Sequence, residues 1–467
     1  MAFTEFYCKT GGSNMNGGRL NSGAEPSTTA AYSATNGGWN SGTGVFTPTS
    51  GDPSASVTVG DFANVFTDGS TTPVFIGRVT AVNSTTVTVS TTAKGGTAPT
   101  TAGTGISINV GGAWLGPNGA VGFPFNFATA AMTNASGDPM RVNFKNSATY
   151  SITAAMTHTL IGPVVFQGYT TTAGDLGKAT IDGGTSGASY VLLTLSSNGV
   201  DRTGLVDLIF QNNGATGSSA GLSGFGDSRT TVLRVVVNNV RGNGYDSAGT
   251  MIECEAYACN QSNTSNSGGF AVNSGSGCRY LRCISHDNSG SNNNGFYDQG
   301  GNNIYIDCIS ESNGLHGLLC NNITRENIIG CDFYNNAGSG IHSVSGAINL
   351  NVQSSNFVSN GVYGINVASG SAGVSLLLNN GYHNNTTAAT NGLGTAIEVG
   401  TVTLGAVPYV DAPNGDFRIN LSAAKGAGRG SFTQTAASYA GTVGYPDIGA
   451  AQHQETASGG GQRVFGG

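Results

Sequence analysis

Charge is scarce in this chain. Of its 467 residues only 9% are Asp, Glu, Lys or Arg, and 18 Lys and Arg against 25 Asp and Glu leave a net charge of −7. So few cations make nucleic acid and anionic membrane poor partners, because both are bound through clustered basic groups. No run of 18 apolar residues occurs, whereas a membrane-spanning helix needs about 20. No window carries the period of a long amphipathic helix. The start, Met1-Ala2-Phe3-Thr4-Glu5-Phe6-Tyr7-Cys8, has no basic stretch leading into an apolar core, so no secretory signal is expected. Eight cysteines are present, but no Cys-x-x-Cys pair and no His beside them, so zinc is not expected. The Gly- and Asp-rich arrays of calcium-binding repeats and loops are missing as well. No metal or other cofactor is expected.

Glycine is what the chain has in excess, at 75 residues. Compositions rich in Gly, Ser, Thr and Asn are often disordered, but 38% apolar content and a fixed register argue for a packed core. One glycine recurs at Gly221, Gly244, Gly269, Gly295, Gly317, Gly340 and Gly364, in steps of 23, 25, 26, 22, 23 and 24 residues. From Gly269 on, each is followed by an apolar, a variable and a small or apolar residue, as in Gly269-Phe270-Ala271-Val272 and Gly340-Ile341-His342-Ser343. A fixed period of this size signals a solenoid, whose repeats bury their apolar faces only by stacking on neighbours.

A second ladder sets the register. Cys254, Cys283, Cys308 and Cys331 share one position, with Val235 before them and Ser355 after. Two residues earlier stand Leu233, Ile252, Leu281, Ile306, Ile329 and Gln353; two residues later stand Val237, Ala256, Ser285, Ser310, Phe333 and Phe357. Alternation of this kind predicts a strand with all three sets facing inward. Five residues after the Cys position comes Asn288, Asn313, Asn336, Asn360 or Asn385. Asparagines stacked at a bend hydrogen-bond along the stack and tolerate left-handed backbone. Short strands, Asn or Gly bends and coils of roughly 22–26 residues predict an all-β chain built on a parallel β-helix. The Cys ladder reads as reduced thiols acting as small hydrophobes.

Three segments are expected. Residues 1–118 form a small β domain for attachment, with a hairpin through Val74–Val82, a turn at Asn83-Ser84 and Thr85–Ser90, a further strand at Ile106–Val110, and a boundary turn at Gly116-Pro117-Asn118-Gly119. Residues 119–400 form the parallel β-helix, most regular from Val206 to His383. Residues 401–467 form a capping segment, since an uncapped stack exposes strand edges.

If the Cys position points inward, strict alternation turns the odd offsets outward. Arg234, Glu253, Arg282 and Asp307, one residue before it, then make a charge ladder of alternating sign. Val232, Met251, Tyr280, Tyr305, Ile328, Val352 and Leu377, three residues before it, make an outer apolar stripe, to which Val236, Ile284 and Ile309 add. A monomer rarely leaves such a stripe wet. It suits packing along the axis of a homotrimer; cover by the chain's own ends and a glycan-stacking platform on Tyr280 and Tyr305 are the alternatives. Three residues after the Cys position, Tyr257, His286, Glu311 and Tyr334 occupy consecutive rungs, about 4.8 Å apart. His286 with Glu311, and Asp287 or Asp307 as a second carboxylate, are the catalytic candidates for acid–base work on a sugar. The plain alternative is a surface His–Glu pair on a bend.

These repeats, over residues of about 140–400, resemble the right-handed parallel β-helix of the pectin-lyase-like superfamily, which includes phage tailspikes. The C-terminal run Asn414-Gly415-Asp416-Phe417-Arg418-Ile419 and the later Tyr445-Pro446-Asp447-Ile448-Gly449-Ala450 are similar to the closing signature of such proteins, in which an Asp-Ile-Gly-Ala segment seals the last coil. The resemblance implies fold and leaves activity open, since the family holds lyases, hydrolases, adhesins and virion proteins. The expectation is a homotrimeric virion-surface protein of a bacteriophage, a tail spike, fibre or capsid decoration. Its N-terminal domain would mount it on other virion proteins, and host polysaccharide would be a further partner. A polysaccharide depolymerase and a bacterial surface adhesin are the alternatives.

Overall fold

A computed structural model describes residues 4–9, 27–67, 69–70, 73–91, 95–96, 98–100, 103–112, 140–147, 149–160, 164–197, 204–224, 230–246, 249–265, 267–273, 277–321, 325–345, 349–368, 373–425, 427–428 and 448–451. The chain divides into two compact units, Met1–Thr250 and Met251–Gly467. The expected boundary turn at Gly116–Gly119 and the Tyr445-Pro446-Asp447 run lie outside the described residues.

In the first unit, an antiparallel barrel precedes the first coils. Phe62–Phe66 pairs with both Gly103–Val110 and Phe75–Val82, which closes the sheet on itself. The hairpin expected from the sequence is there: Phe75–Val82 runs antiparallel to Val87–Val89, and the Asn83 side chain accepts the Thr85 and Thr86 N–H groups in the turn. Trp39, Phe46, Phe75, Val87 and Ile108 fill the barrel. The strand Thr4–Cys8 is not part of this barrel. It pairs in parallel with Met140–Lys145 and makes the first rung of the solenoid. Further rungs follow in parallel register: Met140–Lys145 on Val164–Tyr169, then Gly204–Val206, then Thr231–Leu233.

In the second unit each coil contributes one short strand to each of three parallel sheets. Successive coils give Arg279–Leu281, Asn303–Ile306 and Arg325–Ile329 on the first face. The second face takes Ile284–His286, Ile309–Glu311 and Asp332–Tyr334, and the third takes Asn293–Asp298, Leu318–Asn321 and Ile341–Ser345. The repeating glycine opens the third face at the point of closest approach. A Cβ on Gly340 would stand 2.7 Å from the Phe357 ring and one on Gly317 2.6 Å from the Phe333 ring, so any side chain there would push the inward ring of the second face aside.

The apolar stripe is where the structure overturns strict alternation. Val232 (1%), Met251 (1%), Tyr280 (1%), Tyr305 (2%), Ile328 (0%), Val352 (0%) and Leu377 (1%) are buried and face the core. Tyr280 and Tyr305 stack on each other at 4.9 Å and meet the inward rings of Phe270 and Phe296 edge-on. The cause is one residue. Arg234, Glu253, Arg282, Asp307, Ser354 and Asn379, at the corner before the Cys position, all have φ between 50° and 54°. A single left-handed residue turns the chain and restarts the alternation, so positions three apart both point inward. The row two residues before the Cys position is therefore the outer one: Leu233, Ile252, Leu281, Ile306 and Ile329 are half-buried on the outer surface.

Corner charges pair within each unit, in one case with Asp207, which the sequence reading did not include. Arg234 grips Asp207 with two bonds of 2.7 and 2.8 Å, and Arg282 reaches Glu253 at 2.7 Å. The asparagine ladder also forms, with Asn288, Asn313, Asn336 and Asn360 each donating through Nδ2 to the next Oδ1 at 2.8–3.0 Å. These asparagines point inward. The left-handed residue is the one before them, as at Asp287, Ser312, Asn335 and Ser359. All eight cysteines are free and buried.

The interior holds one costly pair. Asp298 and Glu326 are both fully buried. Asp298 accepts the Gly300 N–H at 2.8 Å, the Tyr305 hydroxyl at 3.1 Å and the Asn303 amide. At Glu326 only the Asn303 backbone N–H favours the charge. Burial first, and the Asp298 charge second, push the Glu326 carboxyl well above the usual carboxylate range. The rise favours the protonated form, since two neighbouring carboxylates in a dry core cannot both ionise.

Among the described residues, the C-terminal segment lies along the side of the coils. Its hairpin, Tyr409–Asp411 with Asp416–Ile419, packs on the outer side of the second face, where Leu404, Tyr409, Phe417 and Ile419 cluster with Val358, Ile309 and Tyr334. The Ile448-Gly449-Ala450 stretch docks on the same side. Asn356 Nδ2 donates to the Ile448 carbonyl at 2.8 Å, and the Ala450 N–H donates to Asp332 Oδ2 at 2.8 Å. The reason lies in those two side chains. Where neighbouring coils carry Ile284 and Ile309, these coils carry Asp332 and Asn356, and buried polar groups must be paired.

The corner rule makes a sharp prediction for two adjacent residues. Ile328→Asp buries an unpaired carboxylate and should cost about 4 kcal/mol or more. Ile329→Asp, one residue on and facing outward, should cost less than about 1 kcal/mol. Chemical denaturation of both variants checks this, and equal losses would refute the inward assignment.

Candidate functional site

The third position after the Cys ladder brings Tyr257, His286, Glu311 and Tyr334 into register as direct rung partners. Each lies at the outer end of a second-face strand, where the inward neighbours Ala256, Ser285, Ser310 and Phe333 hold it by burial. The left-handed residue that follows turns the chain away and leaves the ladder on an outer edge.

His286 is the centre of the arrangement. Its ring stacks on Tyr257 with centroids 5.0 Å apart and planes at 21°. Its Nε2 lies 3.0 Å from Glu255 Oε1, and its Nδ1 lies 2.8 Å from Asp287 Oδ2. Burial pulls the imidazole pKa down, but the two carboxylate hydrogen bonds outweigh it, so the net shift is upward. Both carboxylates favour the protonated ring.

Glu311 has the opposite character. Burial pushes its carboxyl up to about 7; the His286 charge pulls it down, and Asp287 adds to the rise. A carboxyl with this value is protonated in about half of the molecules near neutral pH, which suits a proton donor. Tyr334, on the next rung, is raised by burial and then by the Glu311 charge.

The sequence candidates do not all converge. His286, Asp287 and Glu311 come together. Asp307 does not: it sits at the corner before the same strand, four residues from Glu311, or about 13 Å along the chain. Burial also raises Asp307 to about 7, but it shares the corner with Arg282 rather than with the imidazole. Glu255 was missed. It occupies a position that carries Val236, Ile284 and Ile309 in other coils; a lone acid in an aliphatic row was the signal.

Two neighbouring features lie outside this cluster. An open cavity of about 350 Å³ is lined by Ala258, Gln261, Ser289 and Gly290, among others. Its walls come from the stretches that follow Tyr257 and His286 in the chain, and they are neutral and polar. Further along, His316 and His342 stack at 4.3 Å. Burial and the neighbouring ring bring His316 down to about 3, so it is neutral. Its Nδ1 accepts the Ser339 N–H at 3.0 Å, which leaves Nε2 protonated and unsuited to a metal. Among the described residues no group of three or more His, Cys, Asp or Glu side chains is placed to hold a metal ion, and no helix is long and apolar enough to cross a membrane.

Glu255→Gln should lower the His286 pKa, because a charged acceptor is replaced by a neutral one. The sign for stability follows. A raised histidine stabilises the fold below its ordinary range, and that contribution disappears as pH rises through the folded value. Imidazole titration followed by NMR checks the shift, and an unchanged value would refute the Glu255 contact.

No family model matches the sequence, and no curated protein does. Solved structures give distant likenesses. The pectate lyase Pel9A is 18% identical over 68% of this chain and 88% of its own, with a TM-score of 0.47. The A-module of the Azotobacter vinelandii mannuronan C-5 epimerase AlgE4 is 16% identical over 62% and 86%, with a TM-score of 0.46. ORF18 of Geobacillus virus E2 is 14% identical over 61% of this chain and 58% of its own, with a TM-score of 0.31. The strand topology makes this protein a parallel β-helix with a small N-terminal β-barrel.

Proposed function

We propose that the protein binds and cleaves a polysaccharide, with Glu311 as the proton donor. The observation that carries this reading is the Glu311 carboxyl. Burial lifts it to about 7, and it stands on the rung next to a histidine fixed by two carboxylates. In this reading Glu311 gives its proton to the glycosidic oxygen as the C–O bond breaks. Asp287, the second carboxylate of the cluster, takes a proton from the attacking water. His286 holds Asp287 in place through Nδ1. Tyr257 and Tyr334 flank the pair on the neighbouring rungs.

The test is depolymerisation of a panel of bacterial capsular and plant cell-wall polysaccharides, followed by reducing-end release. Wild type should cleave at least one of them. Glu311→Gln should lose about 10²–10⁴-fold in rate. The rate should fall as pH rises through about 7, because the protonated acid is then lost. Glu311→Gln cleaving like wild type would end this assignment.

Assembly as a homotrimer on a phage virion, mounted through the N-terminal domain, is the second reading. It no longer draws on the Tyr280 and Tyr305 row. Its support is the outer row of Leu281, Ile306 and Ile329, with Ile284 beside it, all half-buried and all aliphatic. Light scattering on the full chain tests it. A mass near three times 46.9 kDa that falls in Leu281→Asp with Ile306→Asp supports the trimer, and a monomeric wild type refutes it.

A further inference from the structure

The C-terminal hairpin lies against the same sheet as the acid–base cluster, and its two aromatic residues both touch the cluster's edge. Tyr334, the rung partner of Glu311, meets Tyr409 edge-on at 5.8 Å and 86° and Phe417 edge-on at 5.8 Å and 77°. Tyr409 and Phe417 also pack on each other at 4.8 Å. Three rings thus form one block on the coil next to Glu311. The block is tied down at its base, because the Tyr409 hydroxyl donates to Asp332 Oδ1 at 2.8 Å and Asp332 lies on the Tyr334 strand. The same Asp332 oxygen accepts Asn356 Nδ2 at 2.9 Å. On the Glu311 strand itself, Ile309 faces the same side and packs against the hairpin cluster. Glu311 is therefore flanked along its own strand by a residue the hairpin covers, and across the rung by another.

We propose that this hairpin is part of the site: Tyr409 and Phe417 are positioning residues that hold the Tyr334 ring beside Glu311 and keep water from one side of its carboxyl. This rests on the proton-donor role proposed for Glu311, and it deepens that role by naming what keeps the acid dry. A raised carboxyl needs a low-dielectric wall, and sheet strands alone leave an outer residue open to solvent. The charged groups around Glu311 do not replace that wall. His286 and Asp287 face it from the neighbouring rung with opposing effects. On the hairpin, Asp416 and Arg418 are paired with each other, and Asp411 is exposed.

The experiment is carried out on the full chain and reads the Glu311 carboxyl directly. Glutamate carboxyl carbons are labelled, Glu311 is assigned by its loss in Glu311→Gln, and its titration is followed by NMR. In folded Phe417→Ala the Glu311 midpoint should fall from about 7 toward the ordinary 4.5, and the pH at which cleavage declines should fall with it. Phe417→Leu, which keeps apolar bulk but loses the ring edge, should give a smaller shift in the same direction and serves if the alanine variant does not fold. A Glu311 titration unchanged in the folded variants overturns the inference. A wild type that cleaves no polysaccharide removes the catalytic reading, while the titration still decides whether the hairpin sets the acid.

Discussion

A single left-handed residue at the corner between the first and second faces decides the inside and the outside of this protein. In a flat strand every second side chain faces the same way. Here Asp207, Arg234, Glu253, Arg282 and Asp307, each with φ near 53°, interrupt that count once per coil. Tyr280 and Tyr305 consequently join the core, and Leu281 and Ile306 leave it. Left-handed backbone costs roughly 1 kcal/mol for a residue with a side chain. The coils offset this through stacking: corner salt bridges in each unit, an inward asparagine ladder, and paired aromatic rings such as Phe333 with Phe357 at 5.1 Å and 3°.

The same construction explains where chemistry is available. Inward positions are filled by Cys, Phe, Ser and Asn, and burial pushes the Cys283 and Cys331 thiols well up. The acid–base cluster lies at the outer ends of strands. There, rung spacing brings residues that are 25 or more positions apart in sequence into direct contact, as with His286 and Glu311. Tyr334 ties that ladder to a second layer, the C-terminal hairpin, and so joins an exposed sheet edge to an apolar cover. A solenoid face gains partial burial for one carboxyl in this way without moving it into the core.

Much of this was legible in the residues. The glycine period, the Cys ladder and the asparagines gave the parallel β-helix and its register, because each coil repeats one set of steric demands. The rung partnership of Tyr257, His286, Glu311 and Tyr334 followed from that register. Glu255 was missed because it lies two residues from the ladder and reaches His286 diagonally. Asp307 was offered as a second carboxylate beside Glu311 on condition that the bend reorient it, and the strand Ile309–Glu311 keeps the two apart. The apolar stripe was read as outer because counting by twos carries no record of a backbone turn.

Sequence by itself therefore determined the repeat, the strand order within a coil, and which residues share a rung, since these depend on local periodicity. Tertiary structure decided which face of each strand is buried and which outer groups are covered. Those depend on a corner dihedral and on a hairpin roughly 75 residues further along the chain, whose contact with Asp332 and Tyr334 no local pattern announces.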